Sequence, residues 1–429
     1  MAEFDVAVVG AGAAGLLAAS RAAERGLRTT LLEKNRRPGV KILMSGGTRC
    51  NLTHHTDRRG ITRAYGDQGR FLHSPLAALG PAELVSLVEA EGVATKVEET
   101  GKVFPVSNKA ADILRAFTQR LERSGCHLQL GRGVLGLRPT ADGWELDTTA
   151  GPLICRGVIL ATGGQSYPGC GTTGDAYAWL RDLGHTIVPT RPALVPLTSS
   201  ESWLPELAGI TLPDVAVAVI AASPPGQTAS GSSIAGVPIP ADARSPVDRG
   251  SFLFTHRGLS GPAVLNVSRG LTQLADPTTA QLQCNFLPHL TPAELDQLLR
   301  DRVAANGRKG VLGVLSDLLP QRVLQVLLGR AGVLADHRCA DLSKDQRLAI
   351  TRELQQCRLP LTGSLGFPKA EVTAGGVRLD EVDSKTLSSR RHPGLFLAGE
   401  VLDLDGPIGG FNFQAAFATG WLAGERILG

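Results

Sequence analysis

Apolar and polar residues follow two rhythms along this 429-residue chain, and the switches between them mark its elements. Phe4–Val9 is a short, mostly apolar run, Gly12–Arg25 repeats small apolar residues at helical spacing, and Thr29–Glu33 is apolar again, which predicts strand, helix and strand. Pro81–Glu91 and Ala110–Ser124 carry the spacing of amphipathic helices, the first opened by Pro and the second closed near Gly125. From His127 to Leu160 the pattern reads strand, turn, strand, turn, strand, with Asp142-Gly143 and Ala150-Gly151-Pro152 as reversals. A β-meander is expected there, its last strand running into Ala161-Thr162-Gly163-Gly164.

The rhythm changes near residue 190. Pro, Gly and Ser become frequent and short β-like runs recur, among them Val215–Ala221, Ser251–Phe254 and Gln281–Phe286. Residues 191–290 are therefore expected to form a β-rich insert. From Thr291 to Gln356 Leu, Arg, Gln and Asp recur at helical spacing, with helix starts predicted at Thr291-Pro292 and Ser343, so 291–358 reads as a helical subdomain. Leu395–Ala398 is a last apolar strand and a closing helix follows Gly410. Residues 359–429 thus read as a return to the domain begun by 1–190, and the fold class is α/β.

Composition narrows the choice little: 43% hydrophobic and 20% charged residues describe an ordinary globular chain. The net charge of +4 is spread without blocks, too dilute for a nucleic-acid surface. Arg36-Arg37 and Arg390-Arg391 are the densest basic spots and read as solvated loops. Seven irregularly spaced cysteines predict no disulfide framework and a reducing compartment, the cytoplasm. The uncharged run Val6–Ser20 follows Glu3 and Asp5, the wrong charge for a secretory leader, and no stretch is expected to span a membrane.

Gly10-Ala11-Gly12-Ala13-Ala14-Gly15 sits between the first strand and the first helix. In that place Gly10 permits a tight turn, Gly12 lets backbone approach a pyrophosphate, Gly15 allows close helix–strand packing, and the helix N-terminus offers N–H groups to phosphate. Glu33 ends the second strand where a carboxylate can accept from a ribose diol, with Lys34 next to it. Gly131-Arg132-Gly133-Val134-Leu135-Gly136 repeats the pattern without a following helix and is a false match, although Val134 can border an adenine.

The loop from Lys41 to Asn51 holds Lys41, Ser45, Gly46, Gly47, Thr48, Arg49, Cys50 and Asn51, a set of small, basic and amide groups suited to lie against a ring system. Cys50 lacks a nearby partner and reads as an inert thiol. His54 and His55 point apart and lack companion ligands, so no metal site is expected. His256, in a turn before a helix that Ser260 can cap, is the one weak candidate for a proton donor. Near the C-terminus Gly399-Glu400 ends a strand, and Gly410-Phe411-Asn412 opens a helix whose positive dipole suits the N1–C2=O edge of a flavin.

Val6–Gly15 with Glu33, Lys41–Asn51, Val103-Phe104-Pro105, Ala161–Asp175, Phe254–Pro262 and Lys369–Gln414 together resemble the HI0933-like flavoproteins, also called the aminoacetone oxidase or BaiN-type family. The resemblance implies a Rossmann-like FAD-binding domain of the two-dinucleotide-binding-domain type, interrupted by a β-barrel-like and a helical domain. It implies non-covalent FAD held extended, with Glu33 at the adenosine ribose, Glu400 near the ribitol, and Ala161, Thr162, Gly163 and Gly399 along the cofactor. Thr48 and Ala176 stand where the family usually has Gly, and Cys170 where it often has a hydroxyl residue. The expected activity is hydride transfer between FAD and a small organic substrate, first as NAD(P)H-driven reduction of an activated C=C bond. An aminoacetone-type amine oxidase using O2 and an RNA-modifying flavoprotein are the alternatives. No nucleic-acid or membrane partner is expected.

Overall fold

The computed structural model describes residues 3–221, 233–234, 237–238, 245–334 and 336–429, and the chain divides into two units, Met1–Pro192 with Phe367–Gly429, and Ala193–Gly366. In the first unit the apolar runs become the inner strands of a parallel sheet. Phe4–Val9 lies between Thr29–Glu33 and Leu153–Leu160, with His127–Leu130 and Leu395–Leu397 beyond them, all parallel. Val6, Ala7, Val8, Val158, Ile159 and Leu160 have no exposed surface, because helices or loops cover both faces; hence these segments show no alternation. The strand order reverses between Phe4–Val9 and Leu153–Leu160, and doubly wound sheets open their ligand crevice at the carboxyl ends of such a pair.

The meander differs from expectation in its first strand. Only Val134–Thr140, Gly143–Thr148 and Leu153–Leu160 are antiparallel neighbours, while His127–Leu130 pairs in parallel with Thr29–Glu33 at the far edge. Gly131, at φ 71°, turns the chain out of one edge so that it can cross to the other. The false dinucleotide match is therefore a crossover between sheet edges.

Two helices of the first unit touch backbone to backbone. A Cβ on Gly420 would overlap the carbonyl of Ala14, and one on Gly424 that of Ala18, so Ala13–Glu24 and Phe411–Arg426 run parallel at van der Waals distance. This register fixes their stagger. From the Ala14–Gly420 level the closing helix continues back to Phe411, whereas the opening helix ends one residue on; at about 1.5 Å per residue its N-terminus lies about 12 Å further out.

The helical segments within Gly66–Ala90 are together long and apolar enough to cross a membrane by composition, a run the sequence reading passed over. More than half of its apolar window is buried within the protein, with Leu72, Leu76, Leu84 and Val88 fully enclosed. Arg391 is an exposed loop residue, as expected, and its guanidinium also binds Glu381 at 2.8 Å, while Glu381 holds His185 at 3.0 Å.

In the second unit six antiparallel strands, Leu197–Ser199, Thr211–Ala221, Asp248–Thr255, Gly258–Ser260, Ala280–Asn285 and Cys357–Ser364, close into a barrel. Phe252, Phe254 and Phe286 cluster in its core at centroid distances of 4.9 to 6.3 Å, and the helices Pro292–Ala305, Gln321–Arg330 and Lys344–Gln355 add Leu295, Leu299, Val323, Leu324 and Leu354 to the same core. Thr291 and Ser343 do start helices, each through a reciprocal cap with Glu294 or Gln346. Ser260 caps nothing. It ends a strand, and Pro262–Thr272 begins after Gly261 without a side-chain cap.

Candidate functional site

The first unit's glycine-rich turn separates into residues the chain explains and one it does not. A Cβ on Gly15 would overlap the carbonyl oxygen of Gly10, and a Cβ on Gly10 would come within 2.6 Å of the Ala161 carbonyl oxygen. Both are glycine because protein already occupies the space, and the second contact brings Ala161 to the turn. Gly12 is different. Its backbone is extended, at φ −82° and ψ −167°, and a Cβ there meets nothing within 4 Å, so no neighbour in the chain requires glycine. It is also the N-cap of the opening helix and leaves that helix without a side-chain cap. Ala13 continues the turn, while Ala14 packs against Gly420 and Gly399 of the closing segment.

Glu33 stays at the end of its strand and is nearly buried. Its oxygens accept from the Ala11 and Asn35 N–H groups, each at 2.8 Å, which tie the second strand to the turn. Gly131 and Arg132 donate to the carbonyls of Asn35 and Glu33, so Val134 follows directly alongside this segment. Lys34 is engaged elsewhere, by Thr173 at 2.7 Å and Asp175 at 2.5 Å.

The segment expected as a loop begins as a helical turn at Val40 and breaks at Ser45, whose ψ is 152°. Gly46, Gly47 and Thr48 then follow in left-handed conformation, Thr48 at φ 69°. Three such residues make one exposed left-handed turn, unusual for L-amino acids. Arg49 does not face this turn; it binds Glu98 at 2.7 Å and stacks on Phe104 at 4.0 Å. Burial pushes the Cys50 thiol up to about 12, against a smaller lowering by Ser45, so it remains protonated at neutral pH.

Lys41 and Glu400, expected to address a ligand separately, meet at 2.6 Å. Ser166 donates to the other Glu400 oxygen at 2.5 Å, the Thr373 N–H donates to the same oxygen at 2.8 Å, and Thr373 Oγ1 accepts from the N–H groups of Gln165 and Ser166. The node joins four distant stretches of sequence. Its inward members, Ser166 and Thr373, were not singled out by sequence, where the only signal was their place in the Ala161–Asp175 and Lys369–Gln414 runs. Gly163, at φ 75°, lies between Thr162 and this node, with Thr172 packed against it.

At the closing helix the side chain of Asn412 is internal. It accepts from Gly406 N–H at 2.8 Å and donates to the carbonyls of Gly406 and Pro407, so it shapes the approach loop. Gly410, at φ 93°, is the N-cap and supplies no side-chain cap. Asn51 accepts from the Gly410 N–H at 2.9 Å and donates to the Thr53 carbonyl at 3.0 Å, once its amide is oriented to satisfy both. Thr53 donates to Gln414 at 2.7 Å, His54 Nδ1 lies 3.1 Å from the Gly409 carbonyl oxygen, and the His54 ring stacks on Phe411 at 4.7 Å. Asn51–His54 therefore clamps the start of the helix.

His256 lies in the second unit, in the exposed turn between two barrel strands, and makes no side-chain hydrogen bond among the described residues. Among the remaining residues, Lys34, Arg49, Cys50 and the Asn412 side chain are taken up within the chain, while the Gly12 turn, Glu33 and the start of the closing helix could hold a dinucleotide. The fit rests on the vacant space before Gly12, the acid at the end of the second strand, and a second uncapped helix start displaced from the first.

Comparison with known proteins agrees with this geometry. The pattern of the HI0933-like protein Rossmann domain matches residues 4–426. A protein of Escherichia coli named ribosomal RNA dihydrouridine synthase is 32% identical, with 100% of this chain and 99% of the relative covered. A 3-dehydro-bile acid delta(4,6)-reductase of Clostridium scindens is 29% identical, with 98% of each covered. Among solved structures, a 3-ketosteroid delta1-dehydrogenase of Sterolibacterium denitrificans aligns over 98% of each chain with 13% identity and a TM-score of 0.48. The chain belongs to the HI0933-like family of FAD-dependent oxidoreductases.

Proposed function

We propose that this enzyme reduces a carbon–carbon double bond conjugated to a carbonyl group, on a small molecule, with NAD(P)H as the electron source. The observation that carries the cofactor part of this reading is the stagger of the two uncapped helices. Their N-termini, about 12 Å apart along the axis, suit the two electron-rich parts of one extended FAD. In this reading the pyrophosphate lies before Gly12 and Ala13, Glu33 takes the adenosine ribose, Val134 borders the adenine, and Lys41, Ser45, Gly46 and Glu400 line the middle. The backbone N–H groups at Phe411 and Asn412 face the pyrimidine edge of the ring, while Asn51 holds the Gly410 N–H. FAD, when bound, supplies the hydride chemistry; the chain orients the ring and places a positive dipole where reduction builds negative charge.

The choice of reaction is supported by the names of the two relatives, each of which describes a change across a ring double bond conjugated to a carbonyl group. Anaerobic titration of the purified yellow protein with NADH and NADPH, followed by enones and amines, tests it. Bleaching by a nicotinamide and recolouring by an enone is expected. Bleaching by amines alone would replace it with an amine oxidase.

A second reading, an RNA-borne uracil as the acceptor ring, is favoured by the name of the Escherichia coli relative. Salt-dependent binding of ribosomal RNA, with recolouring by RNA and not by free enones, would select it.

A further inference from the structure

The clamp at the closing helix contains one titratable group that the proposed function leaves unused. His54 stacks on Phe411 at an interplanar angle of 20°, and its Nδ1 can only donate to the Gly409 carbonyl, 3.1 Å away, since a carbonyl oxygen cannot donate. Proton gain and loss are thereby confined to Nε2. That atom faces Gly101, where a Cβ would come within 2.6 Å, and the ring is partly open to water. A proton placed there leaves the clamp intact.

We infer that His54 is a positioning residue that sets the reduction potential of the flavin through the Gly409–Phe411 turn. The inference rests on the FAD reading above. Held against the uncapped start of the closing helix, an imidazolium adds a full positive charge behind the partial charge of the helix dipole. A reduced flavin is anionic at its N1–C2=O edge and gains more from that charge than an oxidised one, so protonation of His54 favours the reduced state. By linkage, reduction raises the affinity of Nε2 for its proton.

The charged groups around the ring leave this coupling in place. Lys102 is its register partner on the adjacent strand, and near it burial raises the pKa of Glu371 more than Lys41 and Lys102 lower it. His55 and Asp57 follow on the same segment, Asp403 and Asp405 sit in the loop before the helix, and the first turn of the helix itself carries no charge.

Two substitutions separate clamp from charge. His54→Asn keeps a donor for the Gly409 carbonyl and cannot titrate; His54→Phe keeps the stack and loses the donor. Midpoint potentials of FAD-loaded wild type and His54→Asn are to be measured at about pH 5.5 and about pH 8.5, either side of the imidazole range. The wild type is expected to lie higher at the lower pH by about 30 mV, a tenfold preference for the reduced cofactor, and level with the variant at the higher pH. Rescue by Asn of the FAD affinity lost in His54→Phe is expected alongside. Equal potentials at both pH values in two proteins that bind FAD would overturn the inference. Should the variants fail to fold, the ring titration of wild-type His54 by NMR decides: an unchanged pKa on reduction refutes the coupling. A wild type that takes up no FAD fails one step earlier, at the cofactor.

Discussion

Two pairs of helices in this molecule begin in opposite ways. In the second unit Thr291 and Ser343 cap Pro292–Ala305 and Lys344–Gln355 with their own side chains, accepting from the Glu294 and Gln346 N–H groups at 3.2 and 3.1 Å. In the first unit the opening and closing helices begin at Gly12 and Gly410, with no side-chain cap. Glycine at an N-cap costs only a few tenths of a kcal/mol relative to Ser or Thr, so stability alone does not separate the two designs. What separates them is occupancy. A side-chain cap satisfies the free N–H groups and fills the space before them, whereas Gly12 leaves both to a partner from outside the chain; at Gly410 Asn51 takes the N–H and the Thr53 backbone fills the space of a Cβ, so only the N–H groups beyond it are left.

The sharpest way to break this contrast is to fill the two kinds of glycine. Gly15→Ala places a methyl group on the Gly10 carbonyl, where sheet and helix leave no room. A loss of about 3 kcal/mol or more is expected, read as a collapsed melting temperature or insoluble protein. Gly12→Asp should behave in the reverse sense. Its backbone is already extended and its Cβ meets nothing, so the carboxylate can cap the helix and raise apoprotein stability by about 0.5 kcal/mol. The same charge faces the proposed pyrophosphate, and FAD affinity should fall on the order of a hundredfold or more. A Gly12→Asp protein that keeps its colour through gel filtration would remove the phosphate from this place.

Acid should distinguish the units next. His185 is buried in the first unit between Glu381 and Ser389, and burial lowers its pKa more than Glu381 raises it. The pKa of Glu381 is itself held far below the carboxylate range, first by Arg391 and also by the Thr186 N–H. Both folded values lie below the unfolded ones, so the unfolded chain takes up protons first and stability is lost as pH falls. The His185 share begins to go below about pH 6.5 and the Glu381 share below about pH 4.3. Differential scanning calorimetry should show the first unit's transition moving down across that range, and His185→Gln should flatten the upper part. A transition that holds its temperature from about pH 7 to about pH 5 would contradict the burial argument. The same three side chains order as Ser, His and carboxylate in the manner of a hydrolase, yet Ser389 Oγ accepts from the Arg391 and His392 N–H groups and is buried, which leaves it a structural link.

Elements were more legible in the sequence than contacts. Phe4–Val9 and Thr29–Glu33 appear at the expected bounds because strands buried on both faces must be apolar throughout. The break at Gly131 was not legible: strand propensity does not tell which edge of a sheet a strand will join. Among site residues, the Gly10–Gly15 turn and Glu33 could be placed because their geometry is local. The Lys41–Glu400 pair could not, being 359 positions apart and joined only where Val40–Thr48 meets the segment after Leu395–Leu397. At Asn412 the helix start was legible and the role of the side chain was not, since an amide there serves a ligand or its own loop equally well, and here Gly406 claims it.

The smallest expected effect lies at Thr48, the one residue of the left-handed turn that is not glycine. Its φ of 69° follows two left-handed glycines, and a β-branched residue there costs about 1–2 kcal/mol in backbone and side-chain repulsion. Thr48 Oγ1 recovers little, bonding at 2.6 Å to the adjacent Gly47 carbonyl on the exposed side of the turn. Thr48→Gly removes the repulsion but gives the unfolded chain more freedom, worth about 0.5–1 kcal/mol in the opposite direction. A net gain of about 0.5 kcal/mol remains, a rise of about 1–2 °C in the first unit's transition with the second unit's unchanged. A fall instead would mean that the threonine holds the left-handed turn in place, and FAD affinity measured on the same variant would then fall with it.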